Sequence, residues 1–211
     1  MESRESVAEG LRGAVGRLAA KGLMRPGDTL SQRIPERAEI ARITCPDAAV
    51  RARDVVWTPL DRGRSPDPHR AVYAARGDVG AILEGRQVWG RTVGRVGRPM
   101  PALFDEQVRH LGLAVPLATG PALSVPRAST NALVWDDRVL CFGMGLERLL
   151  LNAELLEKCA QAFVLAETSG RRVRRVPWWV RLVANRRLSR DQAEAAQRHA
   201  GGERSVIRAG Y

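Results

Sequence analysis

The sequence predicts an α/β fold, a central mixed β-sheet covered by helices on both faces. Three observations lead there. Segments with apolar residues at helical spacing alternate with short apolar runs bounded by turn residues. One such run, Val79–Leu83, is apolar at almost every position, as in a strand buried on both sides rather than an exposed hairpin. The 211 residues suit one domain with a substantial core, and no internal repeat divides them. The expected domain is 1–211, with its core over about residues 5–200 and a mobile tail at 201–211.

The elements follow in order. Val7, Leu11, Ala14, Val15 and Leu18 carry the i, i+3, i+4 spacing of a helix over Val7–Leu23, stopped at Gly22 and turned by Arg25-Pro26-Gly27-Asp28. Thr29–Thr44 reads as two short strands about a polar loop, and Asp54–Pro59 as another strand. Asp61–Pro68, rich in Gly, Pro, Arg and Asp, is loop. A helix starts near His69 with Val72 and Tyr73 toward the core, and Asp78 turns the chain into the buried strand. Gln87–Val96 is a short helix, Val115–Ala118 a strand, and Ala132–Val134 and Val139–Phe142 two strands about the Asp136-Asp137-Arg138 turn. Gly145–Glu167, with Leu149, Leu156 and Phe163 on a wide apolar stripe, is expected to be the longest helix and to pack on the sheet. Ser189 and Gln192 have capping-box spacing, which predicts a last helix from Ser189 to Gly201-Gly202.

Hydrophobic residues make up 45% of the chain, and no apolar run approaches the roughly 18–20 residues that span a bilayer. The start, MESRESVAEG, lacks a secretory pattern, so a cytoplasmic protein is expected. Cys45, Cys141 and Cys159 are odd in number and widely spaced, which favours reduced, packed thiols over disulfides or a metal knuckle. The net charge is +11, and with Lys21 and Lys158 the only lysines, 32 of the 34 basic residues (34 − 2) are arginine. Eight arginines fall within 170–190 around Trp178 and Trp179, a segment that suits an anionic surface, but no nucleic-acid reader motif accompanies it. Nucleic acid is therefore not the expected partner.

Two stretches carry a resemblance: PHRAVYAARGDVGAILEGR (68–86) and ALVWDDRVLCFGMGLERLLLNAELLE (132–157). Together they resemble the class II aldolase/adducin family, in which an H-x-x-I-Y-x-x-R-x-D-V helix leads into a strand ending His-x-His. A later Asn-His-Gly turn there supplies a third histidine. Thr29, Leu30, Ser31, Arg33 and Pro35, then Ile43 and Thr44, match an early segment of the same family, with Asp28 where the family has Gly. RPMPALFDEQVRHLG (98–112) resembles its stretch before oligomer-facing loops. The resemblance implies a class II aldolase/adducin-like single-domain sandwich and a homo-oligomer, a four-fold tetramer with sites between subunits.

It also implies a divalent metal of the zinc type held by three histidines, with a glutamate moving the proton. This chain departs at each place. Glu84 and Arg86 occupy the His-x-His positions, Asp137 the third histidine position, and Ser65 the position four residues before His69 where the glutamate is expected. The only histidines are His69, His110 and His199. The reading is that Arg86 places a permanent charge against Glu84 and Asp137, so that an internal salt bridge stands where the ion stood. No cofactor is then expected. The alternative is a harder ion, Mg²⁺ or Mn²⁺, on Glu84, Asp137 and His69.

The candidate catalytic residues are His69, Glu84 and Asp137, and the candidate substrate-binding residues Arg86 and Ser31. His110 reads as a half-buried core or interface residue, His199 as solvent-facing, Asp105 and Glu106 as an interface pair, and Tyr211 as the chain end. Gly143 and Gly145 do not complete a dinucleotide fingerprint. The expected function is binding, assembly or regulation without metal-dependent aldolase activity. The alternative is a metal-independent or Mg/Mn-dependent lyase or isomerase acting on an anionic, carbonyl-bearing small molecule.

Overall fold

A computed structural model describes residues 2–45, 54–61, 63, 65–121, 123–126, 128–170 and 173–205. Helix α1 (Arg4–Ala20) is opened by the Ser3 hydroxyl, which accepts from the Ser6 N–H, and it buries Val7, Leu11, Ala14, Val15 and Leu18. Strands β1 (Thr29–Ile34) and β2 (Glu39–Thr44) flank a 3-10 turn over Pro35–Arg37, and β3 (Val55–Pro59) follows. Helix α2 (Pro68–Ala75) leads to β4 (Ala81–Gly85) and α3 (Val88–Val96). Short β5 (Met100–Pro101), α4 (Asp105–His110), β6 (Ala114–Val115) and β7 (Leu117–Ala118) come next. The chain then forms β8 (Ala132–Trp135), β9 (Arg138–Gly143), α5 (Leu146–Thr168) and α6 (Trp178–Ala200).

Seven strands form one sheet in the order β3-β2-β1-β4-β9-β8-β7. Every pairing in it is antiparallel except β7 with β8, so the sheet is mixed, as expected. Alternation along the strands separates two cores. Leu30, Ile43, Leu83, Val139 and Cys141 join Leu11 and Leu18 of α1 and Leu149, Leu156 and Phe163 of α5. Ile40, Ile82, Leu140 and Phe142 face the other way, onto Val72 and Tyr73 of α2. Each of the five residues of β4 is buried, which accounts for its continuous apolar character. The three cysteines are free and buried. Among the described residues no helix is long and apolar enough to cross a membrane.

Three expectations need correction. The strand foreseen over Val115–Ala118 divides at Pro116: β6 pairs with β5, whereas β7 pairs with β8. Proline has no N–H for a ladder, and here its carbonyl accepts from Val134 N at 3.1 Å. The last helix starts at Trp178, not Ser189, and at 23 residues it equals α5 in length. The capping-box residues serve tertiary contacts instead: Ser189 Oγ lies 2.6 Å from Ser129 Oγ, and Gln192 accepts from Ser129 N and donates to Asn131. Within the described part of the tail, Arg204 pairs with Glu2 and Glu36, and Ser205 donates to the Met144 carbonyl. Tyr211 lies outside the described residues.

Candidate functional site

Strand registry decides which polar side chains meet. Thr29 stands opposite Glu84, Ser31 opposite Ile82, and Glu84 opposite Leu140. With a two-residue period, Thr29, Ser31, Glu84 and Arg138 all project to the side covered by α2. The start of α2 is fixed above them by Asp67, whose carboxylate accepts from His69 N (2.9 Å) and Arg70 N (3.1 Å) and also binds Arg42. Pro68 takes the first helical position, where a missing N–H costs nothing. His69 is thereby directed into the interior, and Tyr73, four residues on, lies on the same helical face.

The result is a continuous buried network. His69 Nε2 is 2.7 Å from Thr29 Oγ1, and Nδ1 is 2.6 Å from Ser31 Oγ. Ser31 Oγ is 2.9 Å from the Tyr73 hydroxyl, and Thr29 Oγ1 is 3.4 Å from Glu84 Oε2. Arg138 closes the far end through Glu84 Oε1. An ionised Glu84 only accepts, which sets one direction for the whole chain. Tyr73 donates to Ser31, Ser31 to His69 Nδ1, His69 Nε2–H to Thr29, and Thr29 to Glu84.

The protonation states agree with this arrangement. Burial works against ionising Glu84, but the adjacent His69 ring and the Arg138 guanidinium outweigh it and hold the carboxyl at about 2. Burial lowers the His69 pKa and outweighs the attraction of Glu84, so the ring stays neutral near pH 7. Burial raises the Tyr73 phenol above its ordinary value. Beside the network, Asp28 accepts from the Arg25 N–H at 2.9 Å and the Arg86 N–H at 3.4 Å, and its burial pushes its pKa upward.

These positions revise the expected site. Glu84 and His69 do come together, at 3.5 Å. Arg86 does not bind Glu84: β4 ends at Gly85, and the guanidinium sits 3.8 Å from Asp28 and 3.9 Å from Asp137. The cation on Glu84 is Arg138, which opens β9 rather than lying in the turn expected over Asp136-Asp137-Arg138. Its two-residue offset from Leu140 was a usable signal, but only once the β4–β9 pairing is known. Asp137 is 65% exposed on the β8–β9 turn rather than inside. Ser31 is fully buried, its hydroxyl engaged by His69 and Tyr73, so it presents no surface to a substrate. Ser65 accepts from the Asp67 N–H ahead of α2.

The other two histidines lie outside this network. His110 is half-buried, as expected, and its Nδ1 lies 2.8 Å from the Arg148 guanidinium. His199 corrects the expectation of a solvent-facing ring: it is buried, with Nδ1 2.8 Å from the Gly77 carbonyl.

The donors at this site do not fit a divalent ion. Both oxygens of Glu84 and both ring nitrogens of His69 already have partners. The Arg86 and Arg138 charges stand at its edge, and they oppose a second cation there. Among the described residues no group of three or more His, Cys, Asp and Glu is placed to hold a metal.

With registry and site in place, the architecture is that of the class II aldolases. An L-fuculose 1-phosphate aldolase superimposes with a TM-score of 0.73 at 18% identity, over 88% of this chain and 97% of that one. YgbL from Escherichia coli, described as a putative aldolase/epimerase/decarboxylase, gives 0.71 at 14% identity, over 87% of this chain and 100% of its own. An aldolase II superfamily protein from Pseudomonas syringae gives 0.67 at 16%, covering 97% and 96%. No family model and no curated protein matches the sequence. At these identities the likeness establishes the fold.

Proposed function

We propose that this chain uses the class II aldolase scaffold for binding and assembly rather than for metal-dependent carbon–carbon cleavage. The observation that carries this reading is the closure of the His69–Glu84 network. An acid or base must exchange its proton with substrate, yet His69 is 1% exposed and both its nitrogens are engaged. Glu84, held at about 2, stays ionised throughout the neutral range. The group free to meet a solute is Arg86, 39% exposed and only loosely paired. A small anionic ligand is its natural complement. The chain acts as a cytoplasmic single-domain subunit of a homotetramer, in keeping with the resemblance seen in its sequence.

Elemental analysis of the purified protein, with melting measured before and after chelation, tests the reading. The expected outcome is zinc well below one ion per chain and an unchanged melting temperature. Stoichiometric zinc whose removal lowers that temperature, or cleavage of L-fuculose 1-phosphate at an enzyme-like rate, would overturn it.

The exposure of Arg86 also supports a second reading, a metal-independent lyase or isomerase acting on an anionic carbonyl compound, with Asp137 beside the bound anion. In that case Arg86→Ala abolishes turnover of the responsive compound, whereas Arg86→Lys retains part of it. Equal turnover in all three proteins removes this reading.

A further inference from the structure

Helix α6 is anchored by its second half. Leu188, Gln192, Ala195 and His199 form its buried stripe. Residues 178–187 include no buried position, so a stretch about 15 Å long stands on the surface without covering a core. That stretch is not polar. Trp178 is 69% exposed and Trp179 59%, and Leu182 and Val183 are exposed one turn further along the same sides.

The surroundings are cationic. Residues 170–190 contain eight arginines and no aspartate or glutamate. Arg98, Arg174, Arg175 and Arg181 line a cleft of about 1410 Å³ at the start of α6, and no residue of the His69–Glu84 network lines it. Arg98 pairs with Glu167. Among the described residues no carboxylate pairs with Arg174, Arg175 or Arg181. The helix start adds its own positive end, since Pro177 offers no side-chain cap and the first turn holds no acid.

The partner must therefore be anionic and must also accept apolar side chains. A second copy of a chain with net charge +11 is a poor counterpart for a cationic face, and across a two-fold axis it would set arginine against arginine. Single-stranded nucleic acid would stack on the tryptophans but gains little from Leu182 and Val183. A bilayer interface accommodates both kinds of side chain, tryptophan and aliphatics at the headgroup–acyl boundary and arginine against lipid phosphate. We propose that the leading half of α6 and its adjoining arginine-lined cleft dock on an anionic phospholipid surface, with lipid phosphates in the cleft and Trp178, Trp179, Leu182 and Val183 at the acyl boundary.

Co-sedimentation of the full chain with vesicles tests this. It is expected to pellet with phosphatidylcholine vesicles containing phosphatidylglycerol, not with phosphatidylcholine alone, and to be released by salt. Arg174→Ala with Arg175→Ala should weaken partitioning about 30-fold, at about fivefold per charge. Trp178→Ser with Trp179→Ser should weaken it while keeping the salt dependence. Both pairs replace exposed side chains, so unchanged circular dichroism is expected. Equal binding to neutral vesicles, no binding to either kind, or retention by a single-stranded oligonucleotide without vesicle binding would overturn the proposal. So would variants that dissociate an oligomer in sedimentation velocity yet bind vesicles as before.

Discussion

Replacing Arg138 with leucine tests the central ion pair most directly. The Glu84 carboxylate is 5% exposed, and Arg138 neutralises it from a side chain that is 47% exposed. The fall of the Glu84 pKa from 4.5 to about 2 corresponds to about 3 kcal/mol favouring the ionised form. His69 shares that effect, and solvent screens the half-exposed guanidinium, so Arg138 contributes about 1–2 kcal/mol of it. Urea unfolding at pH 7.5 of the wild type, Arg138→Leu, Glu84→Gln and the double variant closes a mutant cycle. The single Arg138 variant should lose stability, and the double variant should regain part of it, because no buried charge is left uncompensated. Since the folded pKa is depressed, the Glu84 contribution is fully present above pH 4.5 and is lost as pH falls toward 2. Glu84→Gln should remove that portion of the acid slope. A coupling near zero together with an unaltered slope would refute the assignment of Arg138 as the cation that holds Glu84.

Other expectations follow from the same geometry. Tyr73→Phe deletes the terminal donor to Ser31 and should cost about 1 kcal/mol in chemical denaturation; an unchanged midpoint would argue against the direction of the chain. His110 is held at about 4 by burial and then by the Arg148 and Arg109 charges, so the unfolded chain takes up the proton first. Stability should therefore fall as pH drops from 6.5 toward 4, and His110→Gln should reduce that fall by about 2–3 kcal/mol between unfolding curves at those limits. Gly143→Ala would place a Cβ 2.4 Å from Leu149 N and 2.7 Å from the Gly145 carbonyl oxygen, forcing β9 and α5 apart. A loss of more than about 2 kcal/mol in urea unfolding is expected.

The sequence made some of this legible for identifiable reasons. α1 was readable because its apolar residues follow the helical period, and β4 because burial on both faces makes it continuously apolar. The start of α6 was not, because residues 178–187 bury nothing and leave no stripe. Ser189 and Gln192 then imitated a cap, since the groups that cap a helix also bond to Ser129 and Asn131 across the fold. At the site, Glu84 declared itself as a charge at the end of an apolar strand, and His69 as the polar start of a helix. In sequence, Arg86 is the cation nearest to Glu84, two residues on. The strand ends before it, and the true partner comes from a strand 54 residues away in sequence.

A closed network and an open edge do different chemical work. Proton transfer needs a group whose charge changes near the operating pH and whose atoms are accessible. Glu84 is 4% exposed and His69 1%, and Glu84, held at about 2, stays ionised through the neutral range. They secure β1, β4, β9 and α2 against one another, a task that a bound ion could also perform by drawing ligands together. Arg86 and Asp137 lie at the edge, about 3.9 Å apart and partly exposed, and their loose pairing leaves both accessible to a solute. In the proposed binding role, ligand selectivity should therefore follow substitutions at Arg86 and Asp137, whereas substitutions at His69, Glu84 and Arg138 should register first as changes in stability.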